Sequence, residues 1–225
     1  MKKKESVCVV IPAFNEEQTI AAVIDDLRKN GLKNILVIDD GSTDKTAAIA
    51  KKSGVTVLKH LKNCGVGAAT KTGFAWGLKH GFDFLGTIDA DSQHSAKDLK
   101  NILSLCEEYK CVFGSRFLGK NKIPFLRRLQ NKVAKVATGL LFGVWTTDSQ
   151  SGLRAFSREV LEKIEVRVDG FEFCSALVRE LSANNFPIHE VPISVKYSKY
   201  SLGKGQNFAT GCKTLGKLFV EAVIR

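Results

Sequence analysis

Two aspartates one residue apart, Asp89 and Asp91, followed by Gln93, close the apolar run Phe84–Ile88. That run reads as a short buried strand. Alternate side chains of a strand share a face, so Asp89 and Asp91 point the same way where the extended geometry persists. Two carboxylates and an amide are hard oxygen ligands suited to Mg²⁺ or Mn²⁺, whose remaining positions fall to diphosphate oxygens. A D-x-D alone is equally a strand end with solvated acids, so its weight depends on what else the chain brings to it.

The first half alternates strand and helix signals. Val7–Ile11 is a continuous apolar strand ended by Pro12, with Asn15 as cap of a helix over about 16–30. Asn34–Asp39 is a second strand, ending in Asp39-Asp40. Ser42-Thr43-Asp44 caps the next helix, Val55–Leu58 is a third strand, and helices follow over about 67–80 and 95–109. Repeated βα units predict an α/β fold with a mostly parallel, Rossmann-like sheet and right-handed crossovers. Ligands of such sheets bind at the carboxyl ends of the strands. Pro12, Phe14, Glu16, Asp39, Asp40, Asp89 and Asp91 therefore gather on one rim. Any one of these acids is equally read as a first-turn helix charge; three acid-bearing strand ends together point to a site. Cys64-Gly65-Val66-Gly67 lacks the G-x-G-x-x-G spacing and reads as a tight strand-to-helix turn rather than a dinucleotide loop.

At 225 residues with 44% apolar and 25% charged, the chain is an ordinary globular size and composition. Its net charge of +11 is uneven: Arg116–Val136 holds seven Lys or Arg and no acid, and Val191–Val220 five and no acid. Such segments face nucleic acid, anionic lipid or a phosphorylated substrate. The six cysteines include no C-x-x-C and read as reduced, mostly buried cytoplasmic thiols. Met1–Glu5 runs directly into the first strand, with no secretory signal pattern. No apolar run approaches the roughly 20 residues that cross a bilayer, so work on a membrane means lying on it.

Beyond Pro124 a helix carries Leu126, Leu129, Val133, Val136, Ala137, Leu140 and Leu141 as a core stripe, with Arg128, Lys132 and Lys135 opposite. Arg128, near its start, suits a phosphate because a guanidinium fork matches phosphate oxygens. The polar run Thr147–Arg154 is a surface loop or a site, and Ile188–Tyr197, interrupted by Pro192, a bulged or edge strand. Leu215, Leu218, Phe219, Ala222 and Val223 form a terminal amphipathic stripe with Lys213 and Lys217 beside it. The reading is one domain, 1–206, with a C-terminal amphipathic helix, 207–225, that docks on the membrane surface, on its own domain or on a membrane-protein partner.

In order along the chain stand Val9–Glu16, Val37–Asp44, Asp89–His94, Gly114-Ser115-Arg116, Asp148 with Ser151–Arg154, Phe171-Glu172-Phe173 and Glu190–Ile193. Together they resemble a family 2 glycosyltransferase of the GT-A fold, in the branch of dolichyl-phosphate mannose synthases and polyprenyl-phosphate glycosyltransferases. The resemblance spans residues 7 to about 205. It implies that Pro12, Phe14, Glu16, Ile38 and Asp40 hold the nucleotide of a GDP- or UDP-sugar. It implies that Asp89, Asp91 and Gln93, with Ala90 between the acids, bind the metal and diphosphate, and that Arg116 and Arg128 meet the acceptor phosphate. Phe14 stands where the family usually has Tyr. The mannose synthases' Arg and Gly-x-Ser-Lys motif is replaced by Tyr197–Gln206, within which Lys204 is the basic residue assigned to the site, so the sugar stays open.

The expected reaction inverts the anomeric carbon. A lipid phosphate is already an anion and attacks without a strong base; a hydroxyl acceptor would need a carboxylate base, with Asp148 as its candidate. A third class, a basic nucleic-acid-binding module, is opposed by the acid-lined rim. The protein is thus expected to be a peripheral enzyme of the cytoplasmic membrane face, with no nucleic acid.

Overall fold

A computed structural model of the chain describes residues 6–121, 123–170 and 172–197. The described residues form a seven-stranded sheet in the order β3-β2-β1-β4-β6-β5-β7. Its strands are β1 (Val7–Ala13), β2 (Ile35–Asp39), β3 (Thr56–Lys59), β4 (Phe84–Thr87), β5 (Cys111–Ser115), β6 (Arg154–Ser157) and β7 (His189–Pro192). The helices are α1 (Ile20–Lys29), α2 (Thr46–Lys52), α3 (Val66–Lys79), α4 (Ala96–Tyr109), α5 (Phe125–Phe142), α6 (Arg158–Lys163) and α7 (Phe173–Ala183).

β1–β4 pair in parallel, as the alternating pattern predicts. β6 is antiparallel to both β4 and β5, and β7 returns parallel to β5 at the edge. The edge position is why Pro192, which has no N–H to donate, is tolerated at the end of β7. Arg154, the last residue of the polar run 147–154, opens β6. Arg154, Ala155 and Phe156 are all buried, so this strand shows neither the alternation of a half-exposed strand nor a long apolar run.

One apolar cluster lies between the sheet and α1 and α4, with Val9, Ile11, Ile24, Leu99 and Ile102 at its centre. The other lies against α3, α6 and α7 and holds Val10, Ile38, Phe113, Phe156 and Leu177. α3 sits close on the sheet: a Cβ at Gly73 would fall 2.2 Å from Val10, and one at Gly77 2.2 Å from Leu85.

Two sequence expectations are corrected. Asn15 does not cap α1, which begins at Ile20; Asn15 has a φ of 54° and ties its loop to the loop after β2. Of the α5 stripe expected in the core, Leu129, Val133 and Val136 are instead 44%, 42% and 41% exposed, and Phe125 beside them is 81% exposed. The 207–225 helix lies outside the described residues.

Candidate functional site

On the β1–β2 side of the rim, the loops are stitched together by side chains. Asn15 N–H donates to Ser42 Oγ (2.9 Å), Thr43 N–H to Asn15 Oδ1 (2.9 Å) and Glu16 N–H to Thr46 Oγ1 (2.7 Å). Glu17 N–H donates to Asp44, and Lys45 N–H returns to Glu17. Pro12, Phe14 and Glu16 are thereby held beside the end of β2, with the Phe14 ring 41% exposed. Buried Asp40 accepts from Cys64 N–H (3.0 Å) and Gly65 N–H (2.8 Å), and its Oδ1 lies 2.6 Å from His60 Nδ1. Its carboxylate therefore organises the entry to α3. The neighbouring Asp39 is fully buried; its Oδ1 accepts from Ser42 N–H, while Oδ2 has only the Lys59 ammonium at 3.4 Å and no hydrogen bond among the described residues. A buried acceptor of this kind is what a donor N–H of a bound base would satisfy. Ile38 is wholly buried in the core, so its side chain does not reach the rim.

β4 ends at Thr87, two residues before the first acid, so strand alternation does not carry through Asp89 and Asp91. A turn takes over. Ser92 has a φ of 60°, and Asp91 accepts from Gln93 N–H (3.0 Å) and from the Gln93 side-chain amide. The carboxylates still act on each other. Burial and the charge of Asp89 push the Asp91 carboxyl above its ordinary range. Burial also works against the Asp89 charge, but His94, Arg154 and Arg116 outweigh it and hold that carboxyl below the usual range. Gly152 lies directly on Asp89: a Cβ there would fall 2.2 Å from both carboxylate oxygens. Thr87 Oγ1 donates to Gly152 C=O (2.7 Å), fixing β4 and the 143–153 loop together at that point.

On the far side, Ser115 ends β5 and Arg116 follows it inward. Arg116 Nε and Nη2 donate to the two oxygens of Asp148 at 2.6 and 2.7 Å, and Arg116 N–H adds a third bond at 3.0 Å. Asp148 is fully buried. Burial disfavours the Arg116 charge, yet Asp148 raises its pKa above the ordinary value. Glu190, entering from β7, accepts from Thr147 N–H, Thr147 Oγ1 and Asp148 N–H within 3.1 Å and so clamps the Asp148 loop. Asp148 thus has both oxygens engaged by Arg116. The segment after β7 crosses the acid turn, with Lys196 N–H donating to Gln93 C=O (2.9 Å).

The profile of "Glycosyl transferase family 2" matches residues 8–165. The chain belongs to that family. This family 2 transferase is 41% identical to an uncharacterised protein of Methanocaldococcus jannaschii over 98% of this chain and 93% of the other. It is 34% identical to the UDP-N-acetylglucosamine–dolichyl-phosphate N-acetylglucosaminyltransferase of Methanococcus voltae, covering 94% of each chain. It is also 32% identical to the polyprenol monophosphomannose synthase of Mycolicibacterium smegmatis, over 87% of this chain and 79% of that one. Among solved structures, glucosyl-3-phosphoglycerate synthase from Mycobacterium tuberculosis in complex with UDP superposes with a TM-score of 0.75 at 23% identity, over 98% of this chain and 81% of that one. The fold is that of the GT-A glycosyltransferases, and the protein is a glycosyltransferase similar to polyprenyl-phosphate glycosyltransferases.

The structure brings Asp89, Ala90, Asp91, Gln93 and Arg116 to one place on the transferase, with Pro12, Phe14, Glu16 and Asp40 along the same rim. Arg128 is exposed near the start of α5. Lys204 lies outside the described residues. Sequence reasoning placed Asp39 on the rim and missed roles for Gly152, Arg154 and Glu190. Gly152 and Arg154 stood within a quoted motif, and Glu190 within another, but their partners are 63 to 65 residues away for Gly152 and 42 or 43 for Glu190.

Proposed function

We propose that this transferase moves a sugar, with inversion, from a GDP- or UDP-sugar to a polyprenyl or dolichyl phosphate at the cytoplasmic face of a membrane. The observation that carries the reading is the Arg116–Asp148 fork. It engages the one carboxylate assigned to activate a hydroxyl, and it holds a guanidinium whose charge is felt at Asp89. An acceptor that is already an anion requires a cation to receive it and no strong base to activate it. The names of the M. voltae and M. smegmatis relatives point to the same class of acceptor.

The acid turn fits a divalent cation, since two carboxylates repel each other across it and Asp91 is pushed toward its neutral form. Asp89, Asp91 and Gln93 would hold Mg²⁺ or Mn²⁺, which would neutralise charge on the departing nucleoside diphosphate. Solved relatives of the fold carry Mn²⁺ with UDP, or Mg²⁺ with UDP. The chain's own residues do the positioning. Gly152 and Thr87 set Asp89; Gln93 sets Asp91; Asp148 and Glu190 set Arg116. Asp39 Oδ2 offers a buried acceptor to the base, and Phe14 an exposed ring beside it.

No helix among the described residues is long and apolar enough to cross a membrane. The exposed strip Phe125, Leu129, Val133 and Val136 on α5, with exposed Arg128 and Lys132 beside it, supports docking of this face on anionic headgroups. That surface lies next to the Arg116 loop in sequence, where a lipid phosphate has to arrive.

The test is a panel of nucleotide sugars, scored by release of nucleoside diphosphate with polyprenyl phosphate, with soluble hydroxyl acceptors and with neither. Turnover that needs the lipid phosphate, with sugar recovered in the organic phase, is the expected result. Equal turnover on soluble hydroxyl acceptors would overturn the lipid reading and return Asp148 to consideration as a base.

A further inference from the structure

A second group of metal-binding side chains lies away from the acid turn, between β2 and the start of α3. Asp40 Oδ1, His60 Nδ1 and Cys64 Sγ all lie within 4.8 Å of one another. Their backbones are fixed. Asp40 accepts from the N–H groups of Cys64 and Gly65, and Gly65 has a φ of 101° with no room for a Cβ, which would fall 2.4 Å from Asp169 C=O. His60 is oriented from behind, its Nε2 lying 3.0 Å from Thr72 Oγ1. A metal-binding imidazole is ordinarily held in this way, by a partner on its other nitrogen that sets ring direction and tautomer.

The Asp40–His60 contact alone would be explained as a fastening of the loop. The Cys64 side chain is not part of that fastening: its thiol is exposed and makes one long hydrogen bond, 3.4 Å, to Lys62 C=O. The three donors, sulfur, imidazole nitrogen and carboxylate oxygen, stand within 4.8 Å of one another, with Cys64 on the exposed side. We propose that Asp40, His60 and Cys64 form a site for a soft or borderline divalent cation of the Zn²⁺ class, separate from the oxygen ligands Asp89, Asp91 and Gln93.

The chemistry of the donors separates the two sites. Thiolate and imidazole favour Zn²⁺ or Co²⁺, whereas a carboxylate pair with an amide favours Mg²⁺ or Mn²⁺. On binding, the metal replaces the Cys64 thiol proton, which leaves to solvent. His60 gives up its Nδ1 position and carries its proton on Nε2. The Thr72 hydroxyl both donates and accepts, so this tautomer change keeps that hydrogen bond.

The test uses the full, reduced chain in excess Mg²⁺, so that the acid turn does not compete. Zn²⁺ is titrated against a chromophoric chelator, Co²⁺ is followed by its thiolate charge-transfer band, and alkylation of Cys64 is followed by peptide mass spectrometry. Expected are a thiolate–cobalt band, at least tenfold slower alkylation of Cys64 with Zn²⁺, and loss of both in Cys64→Ser, an exposed change that leaves the fold alone. Thr72→Val, which keeps all three ligands, should weaken Zn²⁺ about tenfold, the usual effect of removing a partner behind a ligand. Cobalt binding without a thiolate band, unchanged alkylation at saturating Zn²⁺, or wild-type affinity in Cys64→Ser would each overturn the site.

Discussion

The two halves of the rim are built differently. The β1–β2–β3 half is closed by short hydrogen bonds between adjacent loops, Asn15 to Ser42 and Thr43, Glu16 to Thr46 and Asp40 to Cys64 and Gly65. The β5–β6–β7 half is held around buried Asp148, which receives the Arg116 fork while Glu190 clamps its loop, and is flanked by α5 with Phe125, Leu129, Val133 and Val136 exposed. A prebuilt, neutralised loop cage suits a rigid nucleotide. A guanidinium restrained by a carboxylate and an open apolar helix face suit an anionic headgroup with a long apolar tail. Asp89 stands where the halves meet, next to His94 of its own turn and under the charges of Arg154 and Arg116 from the β5–β6–β7 half.

Breaking the junction should have the largest effect. Asp91→Asn is expected to lower turnover by about two or more orders of magnitude, several kcal/mol of transition-state stabilisation. The same change should raise the melting temperature of the metal-free protein at neutral pH. The sign follows from the raised Asp91 pKa: the folded state prefers the protonated form, so the charged form costs stability above that pKa. The gain should vanish below the ordinary carboxylate range, where Asp91 is protonated in both states. A lower melting temperature at pH 7 would show that Asp91 is a fold residue.

Next is the support of Asp89. Gly152→Ala places a methyl where the carboxylate lies, so Asp89 must move, and small-to-large changes in packed sites cost about 1–3 kcal/mol. Activity should drop at least tenfold, with the metal requirement shifted to higher concentration. An unchanged metal titration would detach Gly152 from the acid turn.

The acceptor half is probed by Arg116 and Glu190. Arg116→Ala should raise KM for lipid phosphate far more than KM for the nucleotide sugar, with Arg116→Lys a partial rescue, because an ammonium cannot reproduce the fork on Asp148. Glu190→Gln keeps shape but turns an acceptor toward the donors Thr147 N–H and Asp148 N–H, at a cost of about 1–3 kcal/mol in stability. It should mimic a mild Arg116 defect. Equal effects on both KM values would remove the division between halves.

The smallest effect belongs to α5. Phe125→Ser with Leu129→Ser should weaken co-sedimentation with anionic vesicles and leave turnover on a short, water-soluble polyprenyl phosphate within about twofold, since surface changes are usually within about 0.5 kcal/mol. Unchanged vesicle binding would assign the membrane contact to another surface.

The sequence by itself determined β1 to β4, α1 to α4 and the rim that gathers Pro12, Glu16, Asp39, Asp40, Asp89 and Asp91. In that half β1, β2 and β4 begin as buried apolar runs, and the parallel βα rule carries local pattern directly into architecture. Tertiary structure alone decided the other half. β6 is a four-residue strand that pairs only because β4 and β5 leave a gap for it, and Arg154 in it is buried although its type predicts a surface. The roles of Asp148 and Glu190 rest on partners more than thirty residues away, and the exposure of Leu129, Val133 and Val136 on α5 rests on what does not pack against them. Periodicity records that a helix has an apolar side; only the packing of the other elements decides whether that side is covered.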